Sequence, residues 1–294
     1  MIIRHIEHAG LPAIELIAHG TRLVAVYGAG PRIAWFGRTR GDNLLYWDDE
    51  GAHARGAWQL RGGHRLWTTR PGADEAEETY AADNAACQIR KLRDGVAIHA
   101  RPDAARLEKS LMIRAVPRRG WTIKHRLRNA GDMLWSGGLW GLTCTRPARG
   151  TRYEIPLGGG PAAWDVVTMV IPRRWGGGHT SRLVDPQFAM TEEALVVRPR
   201  GSEAKRMLRA QLGTLVMRDP ERGTFTKQAD FDPHARYPHA TNVALYVAPR
   251  SFMVELETMS PLRTLAPGDT LVHVETWSVA RGATSARALG ADRA

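Results

Sequence analysis

TLVHVETWSV, residues 270–279, alternates so that Leu271, His273, Glu275 and Trp277 fall on one face of an extended chain, with Val272, Val274, Thr276 and Val279 largely opposing them. A period of two held this long predicts a β-strand. The same texture recurs at 23–27, 32–36, 96–99, 121–127, 166–171, 195–197, 212–217, 242–247 and 252–257. Turn formers separate these runs, and the 30 glycines and 17 prolines are spread along the chain rather than pooled in a linker. Many short strands bounded by turns predict an all-β sandwich or barrel. The stretch 103–116 supports two readings: Leu107, Leu111, Met112 and Ala115 fit a helix, whereas Leu107, Lys109, Leu111 and Ile113 fit a strand. No composition break marks a boundary, because strand-like sequence resumes soon after both glycine clusters, GGGPAAW at 158–164 and RRWGGGH at 173–179. One domain over 1–280 is expected, followed by a small polar tail, RGATSARALGADRA, at 281–294.

Composition narrows the classes of function. The chain has 294 residues, of which 43% are hydrophobic and 24% charged, enough to bury a core. No apolar run reaches the roughly 18 residues of a membrane span. The opening MIIRHIEHAGLPAIEL is charged throughout and unlike a secretory leader. Two cysteines, Cys87 and Cys144, exclude a disulfide framework or a cysteine-rich zinc site, so a cytoplasmic protein is expected. The formal charge of +11 raises nucleic-acid binding as an alternative. The arginines are scattered, however, and the densest stretch (Arg198, Arg200, Lys205, Arg206, Arg209) is interrupted by Pro199, Gly201 and Glu203. A dispersed basic surface attracts anionic ligands but lacks the single stripe that follows a phosphate backbone.

Three segments together resemble the galactose-mutarotase-like superfamily, which includes aldose 1-epimerases and hexose-6-phosphate epimerases. The first is GPRIAWFG (30–37) with RGGHRLWTTRPGADE (61–75); the second is IKHRLRNAGDMLWSGGLWGLT (123–143). The third, FMVELETMSPLRTLAPGDTLVHVETWSV (252–279), resembles the family's closing pair of strands. TYAADN (79–84) and YPHATN (237–242) resemble segments of an uncharacterised bacterial branch. The resemblance implies a single-domain antiparallel β-supersandwich with a cleft for a small carbohydrate, without cofactor or metal.

In that family an "LET" glutamate takes the proton from the anomeric hydroxyl, which places the base at Glu257. Glu255, two residues away, shares its face. Two carboxylates on one face of an apolar strand fit a pocket better than a core, although a solvated face would also tolerate them. The family's acid is a histidine shortly after a central asparagine; here 129–142 has Asn129, Trp135 and Trp140 but no histidine. His64 and His125 are the remaining candidates for that role. Ten tryptophans suit a sugar cleft, and Trp67 and Trp140 fall inside the matched motifs, whereas Trp35, Trp47, Trp58, Trp164 and Trp277 are expected in the core or at its rim. Arg65, Lys205 and Lys227 could hold an anionic or keto oxygen, Asn84 and Asn129 could fix loops, and Tyr237 opens YPHATN. Asp230, Asp232, His234 and His239 carry metal-ligating groups, but Pro233 and Pro238 mark a loop without fixed geometry. The leading function is therefore binding, and epimerisation, of an aldose or sugar derivative. A sugar-binding protein that has lost its acid is the alternative, and a basic anion- or nucleic-acid-binding protein the third.

Overall fold

Leu271, His273, Glu275 and Trp277 are all buried, while Val272 and Val274 are exposed. Their strand, Thr270–Ala280, is central to one of two large antiparallel sheets. The computed structural model describes residues 1–55, 58–69, 84–117, 120–159, 166–175 and 179–281. Trp164, the side chain of Trp58, the tail beyond Arg281 and parts of the matched segments 61–75 and 79–84 lie outside that description.

The first sheet runs Ile2–His8, Leu11–Ala18, Thr21–Val26, Arg32–Arg38, His64–Thr69, Trp135–Thr145, Val254–Met259, Val243–Val247, Ala204–Arg209 and Thr168–Val170. Arg263–Leu265 pairs with one end of Trp135–Thr145. The second runs Phe188–Met190, Ala194–Val197, Arg152–Pro156, Thr214–Asp219, Gly223–Ala229, Thr270–Ala280, Gly120–Asn129, Leu107–Val116, Gly95–His99 and Gln88–Leu92. A two-stranded ribbon, Ala54–Arg55 with Trp58–Gln59, and short 3-10 turns at Pro238–Ala240 and Pro249–Ser251 lie outside the two large sheets. The ambiguous stretch is a strand: Leu107, Lys109, Leu111 and Ile113 are buried, and the strand pairs with Gly120–Asn129 and Gly95–His99. Pairing on both sides decides a pattern that local spacing leaves open. No helix of the described residues is long and apolar enough to cross a membrane.

The apolar core lies between the sheets and includes Ile14, Leu16, Leu23 and Phe36 of the first, with Val96, Ile113, Trp121, Phe225 and Trp277 of the second. Trp277 meets Phe36, Phe225 and His64 edge-on at ring-centre distances of 5.3, 5.2 and 4.9 Å. A buried polar seam continues this core. Glu275 accepts hydrogen bonds from the Thr258 hydroxyl (2.5 Å) and the Trp277 indole (2.8 Å), and pairs with Lys227 at 3.1 Å. The Lys227 ammonium also donates to the carbonyls of Gly141 and Leu256 and to the Thr143 hydroxyl, at 2.8, 2.9 and 2.8 Å. His64 contacts Thr143 Oγ1 through Nδ1 (2.8 Å) and His125 Nε2 through Nε2 (2.7 Å). His125 Nδ1 donates to the His273 carbonyl (3.1 Å), and His273 Nε2 meets the Thr258 hydroxyl (2.8 Å). Every charge here is paired, as burial requires.

The seam fixes one glycine. A Cβ on Gly141 would stand 2.2 Å from Glu275 Oε1 and 3.1 Å from the Thr258 hydroxyl. Gly141→Ala should cost about 3 kcal/mol or more of stability in urea unfolding, because both neighbours are locked by hydrogen bonds. An unchanged midpoint would contradict that packing.

The seam also sets the acid limit of the fold. Burial lowers the pKa of His64 and His125, and takes that of His273 down to about 3. Burial disfavours the Glu275 anion, but the Lys227 charge and the three imidazoles outweigh it and hold this carboxyl below its ordinary range. All four groups therefore bind fewer protons folded than unfolded. Stability should fall as pH drops below about 6.5, the ordinary histidine value, and fall further as Glu275 is forced to protonate. Glu255 acts in the opposite sense and is outnumbered. Urea unfolding at pH 7 and pH 5 checks this: the midpoint should be lower at pH 5.

Candidate active site

The strand Val254–Met259 divides its residues strictly between two environments. Val254 and Leu256 belong to the inter-sheet core, and Thr258 reaches the seam. Glu255 and Glu257 therefore project from the opposite, outer face of the first sheet. Both are buried, Glu257 to 0% exposure and Glu255 to 7%.

Register assembles their neighbours. Glu257 stands opposite Leu142 on one side and Ala244 on the other, and Leu142 in turn is opposite Arg65. Glu255 stands between Cys144 and Tyr246, and Tyr246 is opposite Lys205. Trp140 is opposite both Met259 and Trp67. Alternation puts all of these side chains on the outer face. The structure thus brings together five residues selected from the sequence for charge or aromaticity, Arg65, Trp67, Trp140, Lys205 and Glu255, around Glu257.

Within this cluster Glu257 Oε2 pairs with Lys205 at 2.7 Å and accepts from the Trp140 indole at 2.9 Å. The Lys205 ammonium also lies 4.4 Å from the centre of the Trp140 ring, a cation–π contact. Trp67 meets Trp140 edge-on at 5.6 Å, and the Arg65 guanidinium stacks 3.8 Å above Trp67. Arg65 and Arg32 converge on the Leu60 carbonyl at 3.5 and 3.3 Å. Among the described residues, the buried Glu257 Oε1 has no hydrogen-bond partner. A bare buried carboxylate oxygen costs free energy, so its retention needs a reason beyond folding.

Glu255 is held differently. Its Oε1 accepts only a weak hydrogen bond, 3.3 Å long, from the Cys144 thiol. Burial first, and then the neighbouring Glu257 charge, push its carboxyl up to about 7, against the lowering influence of Arg65 and Lys205. The Cys144 thiol is itself driven well up by burial and by Glu255. Tyr246 donates to Glu203 at 2.6 Å, which also engages His179 Nδ1 at 2.5 Å, and Trp175 stacks on His179. Arg32, Cys144, Trp175, His179, Glu203 and Tyr246 were not singled out as site residues from the sequence.

Other expectations are corrected. His64, His125 and Lys227 lie in the seam between the sheets, on the far side of the first sheet from Glu257, because their strands turn them inward. His64, His125 and Glu275 present potential metal-ligating atoms within 4.8 Å of one another. Those atoms already serve the hydrogen bonds of the seam. Asn84 precedes a stretch held to the Tyr27–Gly30 loop, where Gly30 N–H donates to the Ala85 carbonyl and Cys87 N–H to the Tyr27 carbonyl. Tyr237 is buried, stacks on Phe231 and accepts from Asp232 N–H, and the next residue, Pro238, would lie 3.3 Å from a Cβ on Gly138. Gly138 shares the face of Trp140, so Tyr237 shapes a loop at the rim of the cluster. Asn129 ties the Met133 and Leu265 carbonyls together, a structural task.

No family model matches the chain, and no curated protein matches its sequence. Solved structures do. A galactose mutarotase-like protein from Lactobacillus casei aligns with TM-score 0.62 at 10% identity, covering 91% of this chain and 100% of that one. Another from Clostridium acetobutylicum aligns with TM-score 0.61 at 9% identity over 95% of this chain and 98% of that one. A galactose mutarotase related enzyme from Lactobacillus acidophilus aligns with TM-score 0.58 at 10% identity over 91% and 97%. At such identities the likeness carries the architecture and not the chemistry. The chain has the galactose mutarotase-like sandwich fold.

Proposed function

We propose that the chain binds an aldose or sugar derivative against Trp67 and Trp140 and transfers a proton at its anomeric centre, with Glu257 as base. One observation carries this reading. Glu257 Oε1 is a buried carboxylate oxygen without a partner, while Oε2 is anchored by Lys205 and Trp140. A base must be oriented and must still offer a lone pair, and this arrangement meets both needs. The aromatic pair supplies flat apolar surface for the C–H face of a sugar. Solved proteins with the same fold described as galactose mutarotase-like support the substrate class.

A binding-only protein is the second reading. The run 129–142 supplies no histidine at the position of the family's acid. The two readings part on turnover: both predict sugar binding, and only the first predicts faster exchange between anomers.

Proton NMR exchange between the anomers of a panel of aldoses, neutral, acidic and phosphorylated, tests the enzymatic reading. Glu257→Gln keeps the shape and the Lys205 contact but cannot take up the proton, so the rate should fall by about 100-fold or more. Full activity in that variant would remove Glu257 from the chemistry. Trp67→Ala should weaken sugar binding by about tenfold in a tryptophan-fluorescence titration. Unchanged affinity would move the sugar elsewhere.

A further inference from the structure

We propose that Glu255 is the proton donor to the ring oxygen, the counterpart of Glu257 across one sugar ring. This rests on the reading of Glu257 as base. Glu255 and Glu257 lie on one strand, two residues apart, and share the outer face of the first sheet. Their backbone positions are therefore about 7 Å apart. Paired carboxyl groups serve one anomeric carbon in glycoside hydrolysis, and two side chains leaving one face of a strand side by side can reach a single ring.

The surroundings divide the two roles. Lys205 spends its charge on Glu257 Oε2 at 2.7 Å, and the Trp140 indole reinforces it. Glu255 receives only the Cys144 thiol at 3.3 Å. The groups bearing on Glu255 are Glu257 on its own strand, Cys144 and Tyr246 on the flanking strands, and Arg65 and Lys205 beyond them. Glu203 and His179 stand behind the Tyr246 hydroxyl, and Arg32 acts on Cys144. A second negative charge beside Glu257 is repelled; of the two nearby cations, Lys205 pairs with Glu257 and Arg65 stacks on Trp67. Glu255 therefore keeps its proton beside the Lys205-paired Glu257. Its carboxyl, raised to about 7 by burial and by Glu257, agrees with this assignment. Paired carboxyl groups with separated affinities form an acid and a base.

The step balances without a co-reactant. Glu257 removes the proton from the anomeric hydroxyl, whose O–H electron pair forms the aldehyde C=O. The bond between the anomeric carbon and the ring oxygen breaks, and its electron pair takes the proton from Glu255. The open aldehyde rotates about the bond to its neighbouring carbon. On reclosure at either face Glu255 takes its proton back from the attacking hydroxyl and Glu257 gives its proton to the carbonyl oxygen, so both glutamates, the oxidation state and the net charge are restored.

Two measurements on the full-length chain test this. Infrared difference titration reads the carboxylic acid directly, independent of turnover. Wild type should show a buried protonated carboxyl that ionises as pH rises through about 7. It should be absent in Glu255→Gln and still present in Glu257→Gln, ionising there at lower pH because the neighbouring charge is gone. No such band, or its loss in Glu257→Gln alone, overturns the donor assignment even where anomers are exchanged. Anomer exchange against pH should lose activity above about 7. Glu255→Gln should lower kcat by about 100-fold with KM little changed and abolish that alkaline limb, while Glu255→Asp restores part of it. If His179→Gln rather than Glu255→Gln abolishes the limb, the donor is His179 and the proposal fails. Absence of exchange with every aldose, despite a protonated Glu255, overturns the enzymatic reading and the donor role with it.

Discussion

The contact between Lys227 and Glu275 holds the two halves of this molecule in one arrangement. Both residues belong to the second sheet, yet the Lys227 ammonium reaches across to two backbone carbonyls of the first. Those carbonyls, of Gly141 and Leu256, lie on the adjacent central strands Trp135–Thr145 and Val254–Met259. A one-residue slip of either strand would reverse every side chain on it. The slip would also strip the ammonium of acceptors and drive a side chain into Glu275, where only Gly141 now fits. Breaking a buried ion pair leaves an uncompensated charge, at a cost of about 3–5 kcal/mol, so the penalty for misregister is steep. The seam thereby decides that Glu255, Glu257 and Trp140 face outward.

The outer face inherits this precision. Lys205 and Arg65 stand near Glu257 and Glu255, but the contacts of the two carboxyl groups are unequal. Lys205 and Trp140 fix one oxygen of Glu257 and leave the other bare. A face built only for stability would satisfy that oxygen or replace the carboxylate with an apolar side chain. The aromatic pair and stacked Arg65 beside it form a rigid, amphipathic wall suited to a polyhydroxylated ring.

Much of this was legible in the sequence. Alternation over 270–279 identified the strand and sorted its residues onto two faces, without saying which face is buried, and the segment 252–257 placed Glu255 and Glu257 on one side of another. Trp67, Trp140 and Arg65 were reached through the motifs that contain them and Lys205 through its charge, and they do converge. Lys205 and Lys227 illustrate the limit. Each is a lysine on a strand of mixed polar and apolar residues, and only the sheet order sends one to Glu257 and the other to Glu275. Alternation says which residues share a face but not what that face meets, so His64 and His125 could not be separated from the site in advance. Cys144, Tyr246, Glu203 and His179 come from distant segments, joined only by cross-strand register; the acidic Glu203 inside a basic stretch was the one local sign.

A crystal structure with an aldose bound tests the central claim most directly, since the account requires chemistry on the outer face and stability in the seam. It predicts the sugar ring against Trp140 and Trp67, with a hydroxyl within hydrogen-bond distance of Glu257 Oε1 and the seam unchanged. A sugar bound elsewhere, with Glu257 Oε1 still unengaged, would contradict it.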